Sequence, residues 1–297
     1  MTHRRAIALM VLVTLLWSMA GIVTRQLEAA RSFEVTFWRS AWTVLALVIG
    51  LTVQGQGGLL TRLRQGGWPL WLSGICWAVM FTAFMVALTL TSVAKVLVTM
   101  AMGPMATALF SRLFLGHHLP TRTWGAISVA ALGIVWMFGG SEARTAGDWR
   151  GALVASAVPL AGALNLTLLQ RMGARGSAAP DMTPSLLIGA VLSALFTLPL
   201  AWPLQASGND VAWLALLGFA QLALPCFLML KVSRVLPAPE VALLALLEVV
   251  FGVLWAWLGA GEQPGSRVLL GGTLVLLALA GNELLAFRRS TPGGYLR

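Results

Sequence analysis

The sequence predicts an all-α integral membrane protein in which ten transmembrane helices form two inverted five-helix repeats, with both termini in the cytoplasm. Composition is the first observation, because 58% of the 297 residues are hydrophobic and only 10% are charged. A soluble protein carries about 25% charged residues. The second observation is that charged residues divide the chain into apolar stretches of membrane-spanning length. The third is an internal repeat. Together they indicate that lipid is the solvent for much of the surface.

Each apolar stretch is near the length that a helix needs to cross the hydrocarbon core, roughly 20 residues. The shorter stretches can borrow flanking residues whose charged ends reach the interface. We expect the first span to be retained, because its apolar run is long for the core of a signal peptide. The loops leave no room for a soluble domain. The predicted spans are 6–24, 35–53, 69–90, 93–114, 122–140, 150–170, 182–203, 210–230, 239–259 and 267–287.

Basic residues orient these spans through the positive-inside rule. With the N-terminus in the cytoplasm, cytoplasmic segments hold thirteen of the twenty basic residues, namely Arg4, Arg5, Arg62, Arg64, Arg112, Arg122, Arg171, Arg175, Lys231, Arg234, Arg288, Arg289 and Arg297. The outer segments hold six others, which are Arg25, Arg31, Arg39, Arg144, Arg150 and Arg267, and Lys95 lies near the outer end of the fourth span. Six of the ten acids also fall outside: Glu28, Glu34, Glu142, Asp148, Asp210 and Glu262.

Several functional classes do not fit this pattern. The net charge of +10 is scattered between apolar runs, without the aromatic-interleaved basic stripe of a nucleic-acid binder. Cys76 and Cys226 each lie in an apolar run and are expected to be packing residues. His117 and His118 have no partner at metal-ligand spacing and are expected to be solvated. With no GxxxxGK[ST] motif, no HExxH motif and no Ser/His/Asp grouping, we expect neither a nucleotide-binding cassette nor an enzyme, and no cofactor or metal.

A shift of 144 residues aligns the chain with itself and superposes the span boundaries. Residues 1–145 and 146–297 then hold five spans each. Because five is odd, the second repeat must insert upside-down, as in many secondary transporters that open a midplane site to each side in turn. Chance recurrence of small residues in apolar sequence is the alternative. The aligned positions are Ala8-Leu9 with Ala152-Leu153, Gly74 with Gly218, Ala94 with Ala238, and Pro120 with Pro264.

Four stretches carry a resemblance to a known family: Leu15-Leu16-Trp17; Gly103-Pro104 with Ala106–Leu115; Pro120 with Trp124-Gly125 and Gly133; and Leu247-Glu248 with Phe251, Leu258–Glu262 and Gly271-Gly272. They resemble the drug/metabolite transporter superfamily in its ten-span form with two EamA-like halves. Within it, the chain is most similar to the aromatic amino-acid exporters of the YddG type. That resemblance implies export of amino acids across a bacterial inner membrane. The chain departs from the family pattern at Val249, where Pro is usual, and at His117-His118, where Gly-Glu is usual.

Glu248 lies deeper in an apolar run than any other acid, with seven uncharged residues before it and thirteen after it. An ionisable group at membrane depth is costly and is by default a functional candidate. Glu248 could bind a substrate ammonium group or carry a coupling proton. It could equally be a structural carboxylate between helices, since the family pattern places Glu there whatever the substrate. Lys95 could attract a carboxylate, although snorkelling to the outer interface is the more ordinary role.

Two amides, Asn165 and Gln221, lie deep in apolar spans, where an unsatisfied amide is expensive. Either could bind the backbone of an amino acid, or join helices by a hydrogen bond. The third span adds an aromatic and Met-rich face made of Trp77, Met80, Phe81 and Phe84. Such a face would suit an apolar or aromatic substrate, although packing is its commoner role. Weaker candidates for the same site are Trp17 and Met100.

Three prolines lie inside predicted spans: Pro104, Pro159 and Pro225. A proline in a helix removes a backbone hydrogen bond and can kink the helix. These positions are candidate hinges for alternating access, or static kinks that shape a cavity.

The leading hypothesis is a secondary transporter that exports a broad range of amino acids, including aromatic and apolar ones, by alternating access. Its expected partners are small-molecule amino acids and the lipid bilayer, with the proton as candidate coupling ion and no nucleic acid. One alternative is an exporter of drugs or other cationic compounds that uses Glu248 as cation or proton site. From a different class, a membrane sensor or scaffold without transport activity is the other alternative.

Overall fold

The computed structural model describes residues 1–24, 26–30, 32–53, 58–90, 96, 99–100, 102–116, 120–138, 149–174, 180–260 and 265–290. Of the site and repeat positions proposed from the sequence, Ala94, Lys95, His117, His118 and Pro264 lie outside this part of the chain. The regular structure of the described residues is helical throughout. A π-helical segment, Leu217–Ala223, separates α10 from α11. The α-helices are α1 His3–Ser18, α2 Ala20–Thr24, α3 Ser32–Val53, α4 Leu59–Gln65, α5 Gly67–Leu90, α6 Gly103–Leu115, α7 Thr121–Phe138, α8 Trp149–Gly173, α9 Pro184–Ala201, α10 Gly208–Leu216, α11 Leu224–Val232, α12 Ala238–Ala245, α13 Leu247–Ala260 and α14 Ser266–Ser290.

The helices overlap all ten predicted spans. Among the residues that the structure describes, seven stretches are long and apolar enough to cross a membrane: His3–Thr24, Phe33–Val53, Gly67–Ala87, Arg150–Gly173, Pro184–Ala201, Gly208–Val232 and Ala238–Trp255. A shorter apolar helix covers Ser266–Asn282. The protein is therefore an all-helical membrane protein with several long apolar helices. The short helix α4 was not predicted; it lies between the second and third predicted spans.

The main helix contacts are preserved when the two halves of the chain are exchanged. The first half contributes α1 to α7, and the second contributes α8 to α14. Helix α5 packs on α8 and α9, and the matching contacts join the stretch from α10 to α11 with α1 and α3. Helix α6 packs on α8, as α12 and α13 pack on α1. Three further contacts join equivalent helices of the two halves, so exchanging the halves leaves them unchanged. These contacts are α3 with α9, α6 with α12 and α7 with α14. The core thus lies between the halves.

Small residues allow two of these crossings to be very close. A Cβ atom on Gly189 of α9 would lie 2.3 Å from the Cβ of Trp77 on α5. A Cβ atom on Gly218 would lie 2.4 Å from the Cβ of Trp42 on α3. Only a residue without a side chain lets the helix backbones approach so closely. Gly74, which the internal repeat aligns with Gly218, also faces the opposite half, where a Cβ would lie 2.5 Å from Cγ2 of Ile188.

Two buried carboxylates, Glu34 and Asp210, join the halves at one end of the bundle, and we call them the carboxylate clasp. Asp210 is 0% exposed and accepts hydrogen bonds of 2.8–3.1 Å from the backbone N–H groups of residues 28–30. It also forms a capping box with Ser207 at the start of α10. Glu34 accepts hydrogen bonds from the N–H groups of Gln205 and Ala206, at 2.8 and 2.7 Å. The sequence assigned both acids to outer segments and gave no sign that they are buried.

Arg62 links α4 to the segment before α9. Its side chain is buried and donates from Nε to Oδ2 of Asp181 at 2.8 Å, and from Nη1 to the carbonyl of Leu51 at 3.3 Å. Partial burial would raise the pKa of Asp181, but hydrogen bonds from Thr183 and Arg62 outweigh it and hold that pKa below its ordinary value.

Candidate functional site

A cavity of about 200 Å³ lies between the two halves. All eight side chains predicted for a substrate site line it: Trp17, Trp77, Met80, Phe84, Met100, Asn165, Gln221 and Glu248. Pro104 and Pro159 also line it, whereas Pro225 is not part of its wall. The structure therefore brings these residues together, although their role in binding stays a prediction.

Apolar and sulfur-containing side chains make up most of the wall. The predicted face of α5 contributes Trp77, Met80, Phe81 and Phe84, and the rings of Trp77 and Phe81 lie 5.5 Å apart. Three methionines from other parts of the chain, Met10, Met100 and Met229, complete this surface. Methionine is flexible and polarizable, so such a wall can adapt to apolar groups of different shapes.

Each of the two amides has one buried polar atom without a hydrogen-bond partner in the described part of the chain. Oδ1 of Asn165 lies 2.6 Å from the hydroxyl of Ser73, while Nδ2 has no partner among the described residues. The Nε2 atom of Gln221 donates to the carbonyl of Trp17 at 3.1 Å, while its Oε1 accepts no hydrogen bond within the described part of the chain. The indole Nε1 of Trp77 is unpartnered in the same sense. Buried polar groups are usually satisfied, so several such atoms around one cavity suggest a polar ligand.

Arg39 is the cavity residue that sequence reasoning missed. It is only 4% exposed; its Nη2 donates to the carbonyl of Phe81 at 3.1 Å, and its Nε has no partner among the described residues. The sequence assigned Arg39 to an outer segment, because it lies at the edge of an uncharged run. The predicted span 35–53 already contained Arg39 near its outer end. Helix α3 begins slightly earlier, at Ser32, which places Arg39 about 10 Å along the helix. The position of Arg39 inside the predicted span was the available signal.

Glu248 lines the same cavity as Arg39 and carries the opposite charge. Its side chain is partly exposed. Within the described chain, neither carboxylate oxygen takes part in a hydrogen bond or in an ion pair within 4.0 Å. The cavity therefore holds one cationic and one anionic side chain that are not joined to each other.

Three of the polar positions lie where a helix is interrupted. Trp17 is close to the end of α1, which breaks at Met19 before α2. Gln221 lies in the π-helical segment, and Glu248 is the second residue of α13, just after the break at Leu246. Interrupted helices and π-helical turns recur at the binding sites of transporters and other proteins.

The three predicted hinge prolines occupy different helical positions. Pro159 lies inside α8 and removes a hydrogen bond there. Pro104 lies in the first turn of α6, where its missing N–H costs no hydrogen bond within that helix. Pro225 lies in the first turn of α11, directly after the π-helical segment.

Both free cysteines are buried, and no group of three or more His, Cys, Asp or Glu side chains among the described residues could hold a metal ion. The arrangement is thus a mainly apolar cavity with a few separated polar groups and opposite charges, which is the composition of a small-molecule site.

Comparison with known proteins agrees with this architecture. The model of the EamA-like transporter family matches residues 4–139 and again residues 149–282. The pseudopaline exporter CntI of Pseudomonas aeruginosa, in strains UCBPP-PA14 and PAO1, is 25% identical over 279 residues, which cover 93% of this chain and 94% of CntI. A solved crystal structure shares the fold with a TM-score of 0.80 at 20% identity, over 98% of this chain and all of that one. The chain belongs to the EamA-like transporter family, and is a multi-pass membrane transporter, not an enzyme, built from two EamA repeats.

Proposed function

We propose that this transporter exports amino acids, including aromatic and other apolar ones, from the cytoplasm by alternating access. The observation that carries the proposal is the cavity between the two halves, which combines an adaptable apolar wall with two amides and two opposite charges. An amino acid has the same combination of an apolar side chain, a carboxylate and an ammonium group.

In many secondary transporters, alternating access is built on two halves that are related by inversion. We assign ten transmembrane helices to the chain, five in residues 1–145 and five in residues 146–297, with both termini in the cytoplasm of a bacterial inner membrane. The helix contacts that persist on exchanging the halves support this assignment. With five helices in each half, the second half would insert upside-down relative to the first. Two inverted halves can rock about a site between them and open it to each side in turn.

The elements that surround the cavity are suited to such a motion. The breaks at Met19 and Leu246 and the π-helical segment provide positions where helix geometry can change without unfolding. Pro104, Pro159 and Pro225 are proposed as the hinge or kink positions of the adjoining helices. These features support a moving path lined by α1, α6, α12 and α13.

Export is the proposed direction because CntI is named as an exporter and resembles this chain over nearly its whole length. Its named substrate, pseudopaline, belongs to that protein. The similarity to exporters of the YddG type supports amino acids. Arg39 weighs against cationic drugs, because a buried positive charge in the cavity repels a second one. Transport is proposed to be either downhill, without a coupling ion, or coupled to proton antiport through Glu248.

Purified protein in liposomes tests the proposal. Efflux of a panel of radiolabelled amino acids would be measured with and without a pH gradient, beside protein-free liposomes. We expect efflux of phenylalanine and leucine above the protein-free rate. Acceleration by a pH gradient would indicate proton antiport. Efflux of lipophilic cations without amino-acid efflux would replace the proposal with a cationic-compound exporter, and absence of any flux would favour a sensor or scaffold.

A further inference from the structure

We infer that Arg39 binds the substrate carboxylate, and that Arg39 and Glu248 together make the cavity selective for zwitterions over cations and anions. This inference rests on the proposed function, because it names the chemistry by which the same cavity would recognise an amino acid. None of the sequence patterns pointed to Arg39.

The first argument is the cost of burying Arg39. A guanidinium group cannot lose its charge, so burial in the middle of a membrane protein must be offset by partners. Arg39 is 4% exposed, yet among the residues that the structure describes it has one hydrogen-bond acceptor, the carbonyl of Phe81, and no carboxylate within 4.0 Å. Its Nε is buried without a partner. An anionic ligand that reaches the cavity would supply the missing counter-charge.

The second argument is that Arg62 shows what a structural arginine looks like in the same protein. Arg62 is also buried, but it donates from two nitrogens to Asp181 and from a third to the carbonyl of Leu51. Its charge is neutralised within the protein. Arg39 is also buried, but no carboxylate of the described chain neutralises its charge. Arg39 lines the cavity, and Arg62 does not.

The third argument is the sorting of donors and acceptors. The unpartnered donors around the cavity are Nε of Arg39, Nδ2 of Asn165 and Nε1 of Trp77. The acceptors that take part in no hydrogen bond within the described chain are Oε1 of Gln221 and the carboxylate of Glu248. A carboxylate only accepts hydrogen bonds, and an ammonium group only donates them. A zwitterion can use both sets at once, with its carboxylate toward Arg39 and its ammonium group toward Glu248.

The separation of the two charges also explains selectivity. A cation would leave Arg39 without a counter-charge and would be repelled by it, while an anion would face the same problem at Glu248. Because Arg39 and Glu248 are not joined in an ion pair within 4.0 Å, a zwitterion does not have to break such a pair in order to bind.

Binding measurements with matched ligands test this inference. Purified protein in nanodiscs would be titrated with phenylalanine and leucine and with two analogues of each: the amide, which lacks the carboxylate charge, and the deaminated acid, which lacks the ammonium group. We expect the wild type to bind each amino acid about tenfold or more tightly than either analogue, the typical effect of losing one charge-assisted contact. The Arg39→Gln variant should bind the amino acid and its amide equally, and Arg39→Lys should keep part of the preference.

The matched control is Arg62→Gln, which makes the same change at a buried arginine away from the cavity. It should lower stability and leave the preference for amino acid over amide unchanged. The wild-type comparison needs no variant, so the test survives if Arg39→Gln does not fold. Equal wild-type binding of amino acid and amide, or an unchanged preference in Arg39→Gln, would overturn the role of Arg39 while leaving amino-acid export intact. Absence of amino-acid binding to the wild type would overturn both.

Discussion

The carboxylate clasp and the cavity both hold charged side chains between the same two halves, but the charges of the clasp have partners within the protein and those of the cavity lack a counter-charge within 4.0 Å in the described chain. In the clasp, Glu34 and Asp210 accept hydrogen bonds from backbone N–H groups of the opposite half, from Gln205, Ala206 and residues 28–30. In the cavity, Arg39 and Glu248 are unpaired within 4.0 Å, and Asn165 and Gln221 each keep one atom without a partner in the described chain.

This difference separates structural charges from charges available to a ligand. A buried charge is tolerated when the protein itself supplies its partners, and then its removal mainly costs stability. A buried charge without partners costs stability by its presence, and its retention points to function. Mutation should therefore reduce stability at the clasp and transport at the cavity. Four predictions test that separation, from the largest expected effect to the smallest.

Asp210→Asn should give the largest loss of stability. An amide NH₂ cannot accept hydrogen bonds, so at least one of the N–H groups that Asp210 satisfies would be left buried and unpaired. We expect a loss of about 2–4 kcal/mol in the free energy of unfolding, measured by thermal or denaturant unfolding in detergent. The exposed neighbour Asn209, changed to Ala, is the control and should leave stability within about 0.5 kcal/mol. A stable Asp210→Asn protein with impaired transport would contradict the structural role of the clasp.

Glu248→Gln should reduce transport and leave stability intact, the reverse of the effect expected for Asp210→Asn. Since it removes an unpaired charge, the unfolding midpoint should be unchanged or higher. Amino-acid efflux from liposomes should fall about tenfold, as expected for loss of a charge-assisted contact. Glu28→Gln makes the same change at an exposed position and should leave efflux at the wild-type rate. Unchanged efflux in Glu248→Gln would rule out both ammonium binding and proton coupling through this residue.

Gln221→Met should show a smaller effect of the same kind. Methionine has a similar length but loses the hydrogen bond to the carbonyl of Trp17 and the free Oε1. We expect efflux to fall about threefold to tenfold, with a stability change within about 1 kcal/mol. Gln65→Met, on the exposed end of α4, is the matched control. If stability falls by several kcal/mol while efflux is retained, Gln221 belongs with the clasp as a structural group.

The Asp181 and Arg62 pair should give the smallest effect, through pH. Because the folded-state pKa of Asp181 is lowered, its contribution is present above the unfolded-state pKa and is lost as pH falls through the folded-state pKa. The Asp181 side chain is 33% exposed, so the contribution should stay below about 1 kcal/mol. Unfolding measured between neutral pH and about pH 2 should show less acid destabilisation in Asp181→Asn and in Arg62→Gln than in the wild type. Equal acid profiles in all three proteins would contradict this assignment.

Sequence reasoning found most residues of the cavity wall, including the charge of Glu248, but it missed the charge of Arg39. Asn165, Gln221 and Glu248 stand out because they are polar within long apolar runs, and the aromatic and methionine face of α5 because its residues recur at helical spacing. Arg39 did not stand out, since a charge at the edge of an apolar run fits an interface anchor equally well. The predicted span 35–53 contained Arg39, but sequence position alone does not tell whether a long basic side chain near the end of a span reaches the interface or turns into a cavity.

The clasp was not foreseeable for a different reason. Asp210 bonds to backbone groups about 180 positions away in the chain, and a backbone N–H carries no signal in the sequence. The π-helical segment at Leu217–Ala223 was likewise not predicted, although Pro225 marks its end. Both features arise from how the halves pack, which a linear pattern does not record.

The sequence by itself determined that this protein is helical, lies in a membrane and consists of two related halves, because these properties follow from composition, run length and internal similarity. It also identified most of the polar and aromatic residues that line the cavity. Only the tertiary structure decided which charges have partners. That depends on distances between side chains and backbone groups of different helices. It distinguishes Asp210, whose oxygens accept backbone hydrogen bonds, from Arg39, which has no carboxylate within 4.0 Å among the described residues.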